Sequence, residues 1–222
     1  MKEQQKKYEL TDEFIEHWSG KKLYRIRALV TFGAVVAGQL GGFIESEKNL
    51  DQSLSGDAWV YGDAEVSGDA RVYGNAWVYG DAEVYGDARV YGDAEVYGDA
   101  EVYGDAEVYG DARVSGDARV YGNARVYGNA RVYGNAWVRS HAVIFEHKMI
   151  FWASNVGSEN GTLTVFNGKD GLIVTRGCFT GTVDEFLAKS AEVHDDKTKN
   201  EYKLLIEVAK SRILEVKNET KF

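Results

Sequence analysis

The dominant pattern of the chain is a valine at every sixth residue. Fourteen of them run from Val60 to Val138, with Leu54 before and Ile144 after at the same interval. The positions between them are equally regular, so residues 54–143 repeat the unit V-Y-G-D-A-x fifteen times. Six is an even number, so on a pleated strand Val, Gly and Ala share one face while Tyr, Asp or Asn and the last slot share the other. This is the alternation of a half-buried strand. A single strand of this length is excluded, because strands run about 3–10 residues. Each unit also carries a Gly-Asp or Gly-Asn pair suited to turns, including positive φ. The chain therefore turns a corner once per hexad, and stacked coils let each strand pair with the one above at about 4.8 Å. A parallel β-helix is predicted, with Val and Ala inside. Burying each Val contributes about 1.5 kcal/mol, roughly 20 kcal/mol for the column before chain entropy is subtracted.

The flanks follow other patterns. Residues 22–32 read as a strand, and residues 36–45 as irregular coils with Gly38 in the hexad place. Residues 1–53 are thus expected to form the cap that a repeat array requires. The solenoid is assigned to residues 54–145 and a small α+β domain to residues 146–222. In that last segment, 149–152, 162–166 and 172–175 read as strands, the final two joined by Asn167-Gly-Lys-Asp-Gly171. Two helices are predicted, over 182–194 and about 198–216, from the capping-box pairs Thr182/Glu185 and Thr198/Glu201. Leu204, Leu205, Val208 and Ile213 form the apolar face of the second.

The Val, Asp/Asn and Ala slots resemble those of the hexapeptide-repeat family, in which three hexads make one coil of a left-handed parallel β-helix. The resemblance, rather than the spacing, implies left-handedness, since parallel crossovers are otherwise right-handed in about 98% of cases. At three hexads per coil, the repeat makes about five coils. The run Ala37-Gly-Gln-Leu-Gly-Gly-Phe-Ile-Glu-Ser46, followed by Gly56-Asp-Ala-Trp-Val-Tyr61, is similar to the opening of bacterial and prophage hexapeptide proteins, some of which carry a transferase label. Val156-Gly-Ser158, Asp170-Gly171, the stretch Arg176 to Phe186 and Glu201-Tyr202 resemble a small domain of phage-encoded proteins. Neither resemblance brings a catalytic residue with it.

Composition narrows the field further. Gly at 25, Pro at 0 and Tyr at 14 in 222 residues fit a patterned β protein. The single Cys excludes a disulfide framework and a multi-thiolate metal site. A net charge of −9 disfavours direct nucleic-acid binding. Residues 54–143 carry ten Asp and five Glu against seven Arg, a net of −8, so nearly all of the charge sits on the rod. The stretch from Met1 to Lys22 is charged and lacks an apolar segment, from which no signal peptide, no membrane span and a cytoplasmic location are expected.

Candidate chemistry is sparse. Hexapeptide acyltransferases commonly use a His as general base, and the one His inside the repeat is His141, in the corner slot of the final hexad. A corner substitution where the repeat decays is the plainer account, and no inserted loop interrupts residues 54–143 to make a cleft. His17, His147 and His194 share no spacing, and Cys178, between Gly177 and Phe179, reads as a small buried residue. The corner carboxylates Asp63, Asp81, Asp99 and Asp117 stack along one edge; they are read as solvated turn formers rather than a Ca²⁺ site, and no metal or cofactor is expected. The eleven repeat tyrosines form ladders that support the sheets. In the last slot, Glu95, Glu101 and Glu107 stand three hexads before Arg113, Arg119 and Arg125, so a ring of Glu should touch a ring of Arg. Trp59 and Trp77 stack as an aromatic patch. With Glu65, Glu83, the three ring glutamates and the four edge aspartates, they form the candidate binding surface.

The expected function is a noncatalytic protein-binding rod of phage or prophage type, in its sharper form an acidic mimic of DNA that blocks a host defence protein. An acyltransferase and a structural spacer or virion component are the alternatives. Self-association, if any, is expected as a homodimer through the terminal parts.

Overall fold

Two positions in each hexad, Val and Ala, lose all contact with solvent, and they define the interior of the molecule. Every repeat Val from Val60 to Val138 and every Ala from Ala58 to Ala142 is at most 1% exposed. The computed structural model describes residues 5–214. Each hexad contributes a strand of two to four residues centred on Val, and positions three hexads apart pair in parallel register, as in Val60↔Val78 and Val78↔Val96. Three parallel sheets result, with Val102↔Val120 on the second and Val108↔Val126 on the third. The chain is therefore a mainly β, three-sided parallel solenoid followed by a small strand-and-helix region.

The glycines depart from simple pleat alternation. They are half-exposed corner residues rather than inward ones, because the strand ends at Val or at the latest at Gly and the chain then turns. Gly92 illustrates the requirement: its φ is +73°, and a Cβ would lie 2.9 Å from the Gly110 nitrogen one coil below. Both the left-handed backbone and the close stacking exclude a side chain there.

At the N-terminal end the periodic register fails. Leu54 has the right spacing for the inward column but is 47% exposed, while Leu50, 1% exposed, bridges Val72 in its place. Leu50 and Val60 are farther apart than one hexad, and the extra chain bulges out as a turn at Leu54–Ser55. Upstream, the strand Leu40–Ile44 pairs in parallel with Glu65–Val66. One face thus holds six coil strands, so the solenoid has a turn more than the five predicted from hexads alone.

That first turn is roofed by an antiparallel hairpin, Tyr8–Glu16 with Lys22–Ala28, joined to Leu40–Ile44. Tyr8–Glu16 escapes sequence reading because YELTDEFIE is mostly polar, and its burial comes from one end and one neighbour. Trp59 lies completely buried beneath this roof, with Phe32 edge-on at 5.4 Å and Tyr8 at 6.2 Å. Side chains satisfy the open strand edge. Asn49 Nδ2 donates to Gly68 O and Ala70 O, and the buried Lys7 Nζ donates to Gly56 O and Ala58 O. Desolvation lowers the Lys7 pKa, against the opposing pull of Asp51 and Asp57.

The other end is closed by a four-stranded antiparallel sheet, Ile150–Val156, Gly161–Gly168, Gly171–Arg176 and Phe179–Thr182. Thr164 Oγ1 accepts from Trp137 N, Thr175 Oγ1 donates to Trp137 O, and Asn167 Nδ2 donates to Val143 O. Two helices pack on this sheet: α1 (Val183–Val193) and α2 (Asp196–Leu214). The Thr182/Glu185 capping box forms as predicted. Helix α2 begins ahead of the predicted Thr198, because the Asp195 carboxylate accepts from Thr198 N and Thr198 itself is buried within the helix. Its predicted end at residue 216 lies outside the described residues. Within α2, Ile213 is buried, Leu205 is partly buried against the domain core, and Leu204 and Val208 are exposed; Tyr202, Ile206 and Ala209 complete the buried face.

Candidate functional site

The outward slots of the hexad carry whatever chemistry the rod has, and the coil geometry sorts them into columns with a step of three hexads. The last slot gives Trp59, Trp77, Glu95, Arg113 and Arg131 on one face, and Glu65, Glu83, Glu101, Arg119 and Trp137 on a second. The third carries Arg71, Arg89, Glu107, Arg125 and Val143. The expected Glu and Arg rings meet: Arg113 Nη2 lies 3.1 Å from Glu95 Oε1, Arg119 Nη2 2.8 Å from Glu101 Oε1 and Arg125 Nε 3.4 Å from Glu107 Oε2. Arg89 reaches Glu107 from the other side at 3.7 Å. Such half-exposed pairs hold register and contribute only about 0.2–1 kcal/mol each.

Glu65, Glu83 and Glu101 stack as three carboxylates on one face. Desolvation and the neighbouring Glu83 push the Glu65 pKa up. His17, brought over by the N-terminal hairpin, places Nε2 3.7 Å from Glu65 Oε2, with Nδ1 2.7 Å from Ser19 Oγ. The tyrosines form the predicted ladders. In the column Tyr73, Tyr91, Tyr109 and Tyr127, successive rings stack at 4.8 Å, nearly parallel. Tyr79 and Tyr85 donate to Glu95 and Glu101, each at 3.2 Å. Burial, followed by the adjacent Glu95, pushes Tyr79 up to about 12.

The corner residues Asp63, Asp81, Asp99 and Asp117 share one exposed edge. Arg25 approaches Asp63 at 3.6 Å and Asn135 Nδ2 donates to Asp117 at 3.4 Å. Among the described residues, no three His, Cys, Asp or Glu side chains converge as a metal site.

Several candidates sit elsewhere than the sequence suggests. Trp59 is no surface residue: the N-terminal roof covers it, leaving only half-buried Trp77 of the proposed patch. Cys178 is exposed rather than buried, because it occupies the turn between Gly171–Arg176 and Phe179–Thr182. His141 is an exposed corner residue whose backbone carbonyl accepts from Lys169 N; among the described residues no carboxylate pairs with its ring. His194 ends helix α1, 5.4 Å from the Tyr202 ring. His147 lies on the wall of a groove of about 880 Å³ between one solenoid face and the C-terminal region. Sequence reasoning missed this groove, since Arg212 and Trp152 reach it only through the tertiary fold. Among the described residues, no helix is long and apolar enough to cross a membrane.

The repeat is similar to a family model described as the YdcK beta solenoid repeat, matched over residues 64–80, 106–122, 112–126, 118–129 and 124–140. No curated protein matches the chain.

Proposed function

We propose that the protein is a noncatalytic binding rod whose acidic stretch recognises the basic face of another protein. The observation that supports this reading is the segregation of charge along the solenoid. Residues 57–111 carry nine Asp and five Glu against two Arg, a net of −12; residues 112–143 carry one Asp against five Arg, a net of +4. A rigid surface with one strongly negative end steers a basic partner and orients it. In the sharper form of this proposal the partner is a DNA-binding protein. Corner positions recur about every 4.8 Å along each edge, and four consecutive Asp on the edge from Asp63 to Asp117 present charge at a density of the same order as one strand of a duplex, one per about 3.4 Å. A phage origin, a host-defence target and a cytoplasmic setting belong to this proposal as well.

The test is parallel affinity capture from bacterial lysate with the wild-type chain and the variant Asp63→Asn, Asp81→Asn, Asp99→Asn, Asp117→Asn. The reading expects a basic partner retained at low salt, displaced by salt and lost with the variant. Identical capture by both chains overturns it. The acyltransferase alternative predicts consumption of acetyl-CoA that stops in His141→Ala.

A further inference from the structure

The tyrosine ladders are interrupted twice by serine, at Ser67 and Ser115, and the structure treats the two interruptions differently. Ser67 precedes Tyr85 in its column and is 5% exposed; Trp18 from the N-terminal hairpin covers that end of the ladder, edge-on to Tyr85 at 6.1 Å. Ser115 stands in register with Tyr97, and Tyr133 follows one coil later. Tyr97 stacks on Tyr79 on one side, with ring centroids 4.9 Å apart and planes 4° from parallel. On its other side the space of one aromatic ring is open, because Tyr97 and Tyr133 are two coil steps apart, about 9.6 Å. Ladder positions at that distance leave room for one more ring between them.

The notch opens into the groove of about 880 Å³, a volume suited to a small ligand. Its floor is aromatic, with Tyr133 against Trp152 at 4.2 Å and 84°. Its charged walls are cationic: Arg113, Arg131 and Arg212 line it with His147 beside them, and no carboxylate does. Glu95 neutralises Arg113, whereas among the described residues Arg131 and Arg212 make no ion pair. In a chain of net charge −9, this is a local inversion of sign at the positive end of the rod, away from its acidic stretch.

We propose that this notch binds a nucleoside monophosphate. The base occupies the missing ladder position at Ser115, stacked on Tyr97, and the phosphate is met by Arg131 and Arg212. Stacking suits a planar ring of any identity, and guanidinium groups suit a dianionic phosphate.

The test is calorimetric titration of the full chain with adenosine 5′-monophosphate, guanosine 5′-monophosphate, adenosine and inorganic phosphate. At least one nucleotide should bind at least tenfold more tightly than adenosine or phosphate alone. Ser115→Tyr, which refills the ladder, should weaken binding at least tenfold without lowering the Tm. Ser115→Ala should retain binding within about threefold. Tyr97→Ala provides a second variant that removes the stacking surface while leaving the notch open, and it should also lose at least tenfold. No heat from either nucleotide at millimolar concentration, or undiminished binding by both Ser115→Tyr and Tyr97→Ala, overturns the proposal.

Discussion

At the scale of single residues, inward and outward slots of the same strand should respond oppositely to the same kind of change. Val96 is fully buried, so Val96→Asp places a charge in the apolar column and should cost at least about 3 kcal/mol. Tyr97→Ser removes one stacked ring and should cost about 1 kcal/mol, since Ser already occupies that slot at two other coils. Chemical denaturation of the two variants separates them, and equal penalties would contradict the inward assignment. Glu65 offers a pH test. Burial and Glu83 raise its folded pKa, so the folded state holds the proton more tightly than the unfolded chain, and stability is lost as pH rises through the carboxylate range. Glu65→Gln should therefore match the wild-type Tm near pH 3.5 and exceed it by pH 7.

Among the secondary-structure elements, the register at the start of the solenoid is the sharpest point. Leu50 fills the inward position and Leu54 lies on an exposed turn. Leu50→Asp should be as damaging as a substitution in the valine column, while Leu54→Asp should change the Tm by no more than about 2 °C, within the range of an ordinary surface change. Reversal of that order in thermal melts would restore the strict hexad count. Corner glycines are similarly graded. Gly92→Ala meets both positive φ and the Gly110 nitrogen, whereas Gly20→Ala, at φ +78°, meets open space. The first should cost clearly more than the roughly 1–2 kcal/mol of left-handed strain common to both.

For the molecule as a whole, the two ends matter more than the faces. The prism faces alternate Tyr with charged residues, and the strand edges are covered by the chain itself through Lys7, Asn49, Thr164, Thr175 and Asn167. We expect light scattering to give a monomer, or a dimer through the terminal regions, and no trimer built on prism faces. Removing the chain after residue 145 uncovers Ile144 and the lower strand edge, so this shortened form should aggregate or melt at lower temperature. A stable trimer of the shortened form would show that the faces associate.

The sequence by itself determined the repetitive middle of the molecule. Period six, an inward Val and Ala, a Gly-Asp or Gly-Asn corner, and Glu-to-Arg pairing at a step of three hexads are all local or strictly periodic, and stacked coils only copy them. The Thr182/Glu185 cap was legible for the same reason, being a contact within one helical turn. Tertiary structure decided what periodicity cannot encode. Leu50 displaces Leu54 because the first coil must meet the roof, and Trp59 is buried because a mostly polar strand from far earlier in the chain lies over it. The open gap at Ser115 and the filled one at Ser67 have the same residue in the same slot. They differ because Trp18 arrives from one end of the chain, whereas Arg212 and Trp152, arriving from the other, line a groove and leave it open.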